Sequence, residues 1–301
     1  MRSLPITPGL NYPQEELTVR LQEHDVRRSD WANSAPSSLL KPLTLVVNFG
    51  CKTLVIAELE ARKLRHEPID LLTRAIQPAL WLLIFGQVFA RTRAIPTGNL
   101  DYLDFMSPGV LAQSVLFIAI FYGIAIIWER DLGITHKLLV TPTPRAALVL
   151  GKAISAGLRG LSQAIIVYLL ALLLGVKVNW NPLALFGVVV VVLLGAGLFA
   201  TFSLIIACLV KTRERFMGIG QVLTMPLFFA SNAIYPISLM PGWLQVIARV
   251  NPLTYEVDAL RALMLVGGTS TYGLGLDLLV LLVAMILLVV VAGKLYPQVI
   301  I

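Results

Sequence analysis

Residues 183–210 read LALFGVVVVVLLGAGLFATFSLIIACLV, a stretch with no charged side chain. A helix rises about 1.5 Å per residue, so about twenty such residues match the roughly 30 Å hydrocarbon core of a bilayer. A membrane β-strand would instead show about ten positions of alternating character, and no such alternation occurs here. The stretch reads as a transmembrane helix. Comparable apolar runs occupy 69–90, 105–128, 148–176, 216–236 and 274–296. The expected fold is therefore all-α integral membrane, a six-transmembrane-helix bundle filling 69–301. Composition agrees, with 57% apolar residues, 14% charged residues and a mean hydropathy of +0.81. An ordinary soluble domain carries nearly twice that share of charge.

The net charge of +7 does not indicate a nucleic-acid partner, because the basic residues sit in short loops beside the apolar runs. Arg130, Lys137, Arg145 and Lys152 lie between or near the ends of the second and third runs. Lys211, Arg213 and Arg215 separate the fourth and fifth, and Arg62, Lys63, Arg65 and Arg74 flank the start of the first. The short loops of the opposite side offer only Arg91, Arg93 and Lys177. Positive charge stays inside, so the expectation is a multi-pass plasma-membrane protein with both termini cytoplasmic. Cys51 and Cys208 then face the reducing side and are expected as free thiols.

Residues 1–42 carry Pro5, Pro8, Pro13 and Pro36 with many charges and no apolar run, which predicts a disordered cytoplasmic tail without a signal peptide. Residues 43–68 interleave Val55, Leu59 and Leu64 with Glu58, Glu60, Arg62, Lys63 and Arg65. Glu58 and Arg62 form an i,i+4 pair. An amphipathic interfacial helix on the cytoplasmic membrane surface is expected there, with a solvated linker helix as the alternative.

Two segments between spans are unusual. The loop 129–145, ERDLGITHKLLVTPTPR, holds a short helical piece with Leu132, Leu138 and Leu139 that Pro142 and Pro144 stop. The segment 237–271 places Trp243, Leu244, Ile247 and Val250 at helical spacing. Asn251-Pro252 then reads as an N-cap followed by proline at the first helical position, and Gly267-Gly268 ends the second helix. Neither helix is long enough to span, so a re-entrant or interfacial helical hairpin is expected between spans five and six.

The chain lacks a reactive constellation. His24, His66 and His136 lie outside the apolar runs, and no HExxH, GxSxG, CxxC or GxxxxGK[ST] pattern occurs. No metal site, no catalytic residue and no ATPase site of its own are expected. The carboxylates Glu129, Asp131, Glu256, Asp258 and Asp277 fall at span ends or in the hairpin, whereas ion-coupled carriers place such groups near the bilayer midplane. Transport would then need an external energy source. Arg159 is the one cation well inside an apolar run. Either it snorkels to the interface, or it lines a cytoplasmic vestibule and attracts an anionic headgroup.

Two stretches carry a family resemblance: ERDLGITHKLLVTPTPRAALVLGK (129–152) and FFASNAIYPISLMPGWLQVIARVNPLTYEVDALRALML (228–265). They resemble type-2 ABC transporter permeases, above all daunorubicin-resistance and NodJ-like export permeases, most clearly at residues 251–255 and 258–261. The resemblance covers 69–301. It implies a half-permease that pairs with a second permease copy as a homodimer in membrane lipid and carries two copies of a separate ABC ATPase subunit, which binds ATP and Mg. It further implies that the interfacial helix (Glu58, Arg62) and the loop after span two (Glu129, Arg130, Asp131, Leu138, Leu139, Arg145) couple to the ATPase. The hairpin, with Trp243, Asn251, Pro252, Tyr255, Glu256, Asp258 and Arg261, would cap the outer side of the path. The expected function is ATP-driven export of an amphipathic drug, lipid or lipid-linked sugar. An ion-coupled secondary transporter and a lipid-modifying membrane enzyme are the alternatives.

Overall fold

Asn181 and Asn251 each stand in extended backbone just before a proline, and each side chain accepts the N–H two residues on, at 3.0 Å. These two caps start the helices that organise the molecule. The computed structural model describes Thr73 and residues 76–92, 95–98, 100–132, 145–210 and 212–295, all within the unit Phe49–Ile301. The expected tail and interfacial helix, with Glu58 and Arg62, lie outside the described residues, as do Leu138 and Leu139.

The helices are α1 (76–92, with a π-helical stretch at Trp81–Gly86), α2 (Tyr102–Asp131), α3 (Arg145–Leu173), α4 (Pro182–Leu209) and α5 (Arg213–Phe229). A 3₁₀ turn at Ile237–Leu239 follows, then α6 (Gly242–Val250), α7 (Pro252–Met264) and α8 (Leu274–Leu295). Four of these, α2, α3, α4 and α8, are long and apolar enough to cross a membrane.

The centre of the bundle is the pair α2 and α4. Helix α4 packs on α2, α3, α7 and α8, and α2 packs on α1, α3, α4, α5 and α7. Val110, Leu111, Val115 and Ile120 of α2 and Val191, Val192, Leu198 and Phe199 of α4 are buried there. The outward faces are apolar as well: Leu279, Leu282, Val283, Ile286 and Leu287 of α8, with Ile165, Leu169 and Leu172 of α3, are all exposed. An apolar surface this continuous fits lipid rather than water.

The fifth apolar run does not continue as helix to 236. Helix α5 ends at Phe229 after 17 residues. The reason is competition for the carbonyls that a further turn would need. Asn251 Nδ2 donates to Leu227 O at 2.7 Å and Ala230 O at 2.8 Å, while Ser231 Oγ donates to Phe228 O at 2.7 Å. The chain then passes so close to α2 that a Cβ on Gly109 would lie 2.3 Å from Ala233 O. Only glycine permits that approach.

The segment 237–271 does fold back as two helices, and α7 enters the bundle, packing on α2, α4 and α8. Leu263 lies beside Gly187 near the start of α4, and Glu256 beside Gly195 half-way along it. Helix α7 therefore runs antiparallel to α4, from mid-bundle back to the end where α4 begins. There Asn179 N donates to Met264 O (2.7 Å) and Val266 N to Lys177 O (2.9 Å), closing its upper end.

Candidate functional site

At the end of the bundle that carries the basic loops, Glu129, Arg130 and Asp131 close α2 as one triplet with three different partners. Lys152 of α3 donates to Glu129 Oε2 at 2.5 Å, in a pair whose side chains are 5% and 12% exposed. Arg130 Nη1 donates to Val210 O at 3.3 Å, at the end of α4. Asp131 accepts from Arg213 at 2.8 Å, and the Arg213 guanidinium also stacks 3.6 Å from the Trp128 ring. The triplet thus ties α2 to α3, α4 and α5 together. The sequence alone gave no pairing of Glu129 with Lys152. The available signal was a cation one helical turn inside an apolar run, where it needs a carboxylate at its own level. Arg145 is described only as the first residue of α3.

Above this cluster a groove of about 780 Å³ opens between α1, α2 and α3. Phe117, Phe121, Tyr122 and Trp128 of α2 form its aromatic wall, and Gln77, Arg159, Gln163 and Glu129 supply polar groups. Arg159 is half-buried, with its guanidinium 5.3 Å from the centre of the Tyr122 ring. Tyr122 in turn donates toward Ser155 Oγ at 3.4 Å. A cation resting on an aromatic face beside an apolar wall is an arrangement that suits the charged head of an amphiphile. The Arg159 side chain borders this groove.

At the other end the hairpin holds a polar network. Asp258 is fully buried and accepts from Thr271 N at 2.6 Å, Thr271 Oγ1 at 3.0 Å, Tyr272 N and Ser270 Oγ at 3.1 Å, and Asn232 Nδ2 at 3.4 Å. Arg261 approaches it at 4.0 Å and donates to Asn232 O at 2.8 Å and Phe105 O at 3.4 Å, its guanidinium 3.9 Å from the Phe105 ring centre. Ser270 also contacts Asp277 at 2.7 Å. Asn232, Ser270 and Thr271 were not singled out from the sequence, because only folding brings Asn232 and the loop 270–272 to this one carboxylate. Tyr255 donates to Arg249 O at 2.6 Å and packs 5.2 Å from Tyr272. Trp243 is exposed on α6.

Glu256 does not join this network. It is fully buried, and neither carboxylate oxygen has a hydrogen-bond partner among the described residues. A Cβ on Gly195 would lie 2.3 Å from its Oε1. Gly195 is half-way along the 28 residues of α4, so a carboxyl group does sit at the level of a span's middle. Glu256 is in the hairpin as expected, but the expectation that no carboxylate lies at mid-span is corrected, because α7 carries this one to the middle of α4. The sequence shows Glu256 only as part of a short helix, and its depth depends on where that helix docks.

Comparison with known proteins places these features in a family. The model of the ABC-2 type transporter family matches residues 51–265. A putative transport permease, ycf38, of Cyanophora paradoxa is 31% identical over 204 residues, which is 67% of this chain and 70% of the relative. The daunorubicin resistance ABC transporter permease protein DrrB1 of Streptomyces coeruleorubidus is 26% identical over 66% of this chain and 70% of its own length. Nodulation protein J of Rhizobium meliloti is 27% identical over 56% of this chain and 63% of that protein. An all-helical, lipid-faced bundle with this match over most of its length is a membrane permease subunit whose ATPase partner is a separate ABC protein, and the chain belongs to the ABC-2 type transporter family.

Proposed function

We propose that this chain is the membrane-spanning subunit of an ATP-driven exporter for an amphipathic drug, lipid or lipid-linked sugar. The observation that carries this reading is the groove at the basic end, with its aromatic wall on α2 and Arg159 on its rim. An apolar body can lie along Phe117, Phe121 and Trp128 while an anionic or strongly polar head meets the guanidinium. In this reading α1 and α5 also cross the membrane, bringing the crossings to six, and the basic end is cytoplasmic. Two ATPase subunits dock there on a homodimer of this chain and bind ATP and Mg.

The triplet Glu129–Asp131 then transmits force. A push on the loop after α2 reaches α3 through Lys152, α4 through Val210 and α5 through Arg213, because each contact crosses from one helix to the next. The hairpin closes the opposite end of the path. Relatives named for daunorubicin resistance and multidrug transport support an exported amphiphile.

The test is purification from the native host in mild detergent, followed by ATP hydrolysis and transport in vesicles. An ABC ATPase should copurify, and amphiphile transport should require ATP. Arg159→Ala should weaken transport of anionic amphiphiles several-fold while leaving the ATPase bound. A chain that purifies alone and binds no supplied ATPase overturns the reading.

A further inference from the structure

A carboxylate needs hydrogen-bond donors, and the backbone of a helix interior has none to spare. Every backbone N–H within α4 or α8 is already committed to a carbonyl one turn back. A carboxylic acid has the opposite requirement. It needs one acceptor for its O–H, and helix carbonyls keep a second lone pair for that purpose. Glu256 meets this choice in its sharpest form, since it is 0% exposed and both of its oxygens lack a partner among the described residues. Gly195 leaves the α4 backbone bare against that carboxyl group.

The surrounding elements supply no counter-charge at this level. Helix α4 has no acidic or basic residue, and its only other titratable group, Cys208, is at the far end. Helix α8 carries Asp277 in its first turn and Lys294 in its last. Helix α2 carries Tyr102 and Asp104 at one end, Glu129, Arg130 and Asp131 at the other, and Tyr122 between. Arg249 ends α6. On α7 itself, Tyr255 is bonded to Arg249 O, and Arg261 is occupied by Asp258, Asn232 and Phe105.

We propose that Glu256 is a proton-binding site of this permease, neutral while α7 is docked on α4 and ionised when the hairpin moves and admits water. The carboxyl O–H bond breaks, the proton passes to water beside Gly195, and redocking restores it. Helices α6 and α7 touch each other little, so they are joined mainly through their junction. Asn251, at their junction, is tied to the last turn of α5 through Leu227 O and Ala230 O. A displacement of α5 therefore pulls on the buried end of α7, the end that carries Glu256.

The cycle-linked half of this proposal rests on the exporter reading, whereas the resting protonation does not. The test is infrared difference spectroscopy on the purified permease–ATPase complex, comparing wild type with Glu256→Gln. A protonated-carboxyl C=O band should be present in resting wild type at neutral pH and absent from the variant, whose unchanged melting temperature confirms that it folds. Lack of any such difference means that Glu256 is ionised, and it overturns the site. In the complex trapped with vanadate and nucleotide, the band should shrink by at least half. A band of equal size in complex verified to have occluded nucleotide overturns the linkage to the cycle. Failure to occlude nucleotide at all counts against the exporter reading and leaves the resting-state result to decide the site.

Discussion

Helix α7 carries two buried carboxylates two residues apart in sequence, and their surroundings are opposite. Asp258 accepts from three side chains and two backbone amides and has Arg261 beside it, whereas Glu256 accepts from nothing described. Burial is the same, at 0% exposure for each. The difference is position along the bundle. Asp258 reaches the loop between α7 and α8, where Thr271 N and Tyr272 N belong to no helix and are available as donors. Glu256 points to the middle of α4, where backbone donors are used up by the helix itself. Buried charge in a helical membrane protein is thus supported by the irregular backbone at its ends, and mid-bundle acidic groups have little to hold them as anions.

The comparison breaks first at Asp258. Asp258→Ala removes the acceptor for two backbone amides and strands the buried Arg261, so it should cost about 3–5 kcal/mol. Thermal melting of the detergent-solubilised protein should show a large fall or no folded fraction. A fall of only a degree or two would mean that the loop donors find water readily, and the contrast with Glu256 would lose its basis.

Asn251→Ala should cost about 2–3 kcal/mol, from a lost N-cap on α7 and two lost bonds to the end of α5. Proteolysis within the hairpin should also accelerate, since the junction of α6 and α7 is no longer tied down. Equal protease resistance in wild type and variant would argue that packing alone seats the hairpin.

Gly195→Ala sharpens the other side of the comparison. The new methyl would overlap the Glu256 carboxyl, and overpacking of this kind costs about 1–3 kcal/mol. Most of that cost should vanish in the Gly195→Ala/Glu256→Ala double variant. An undiminished cost in the double variant would show that Gly195 is required by some other neighbour.

The smallest effect is expected at the basic end, where Asp131 and Arg213 are 40% and 34% exposed. Asp131→Asn should change stability by less than about 1 kcal/mol and lose even that at high salt. Melting curves at low and high ionic strength check this. A larger, salt-independent loss would place the pair in a drier environment than its exposure indicates.

Much of this molecule was legible as sequence. Uncharged runs of bilayer length announced the long helices, and Asn251-Pro252 marked the start of α7 to the residue, because a cap and a φ-restricted proline act locally. Gly267, at φ +76°, follows α7 as its C-terminal signal foretold. The resemblance at 251–261 led to the family that the comparison then established. The extent of α5 was less accessible. Its apolar run continues past Phe229, but Asn251, more than twenty residues on, takes the carbonyls the helix would have used.

Residue types and spacing by themselves determined an all-helical membrane protein and the existence of a hairpin, and a resemblance at two stretches pointed to the family. These follow from hydropathy, capping and local geometry, which act within a few turns of chain. Only the tertiary structure decided that Lys152 pairs with Glu129, that Arg159 borders a groove walled by α2, and that Asp258 gathers donors from Asn232 and the loop 270–272 while Glu256 lies alone against Gly195. Those outcomes depend on which helices pack together and at what depth, and that is a property of the whole bundle.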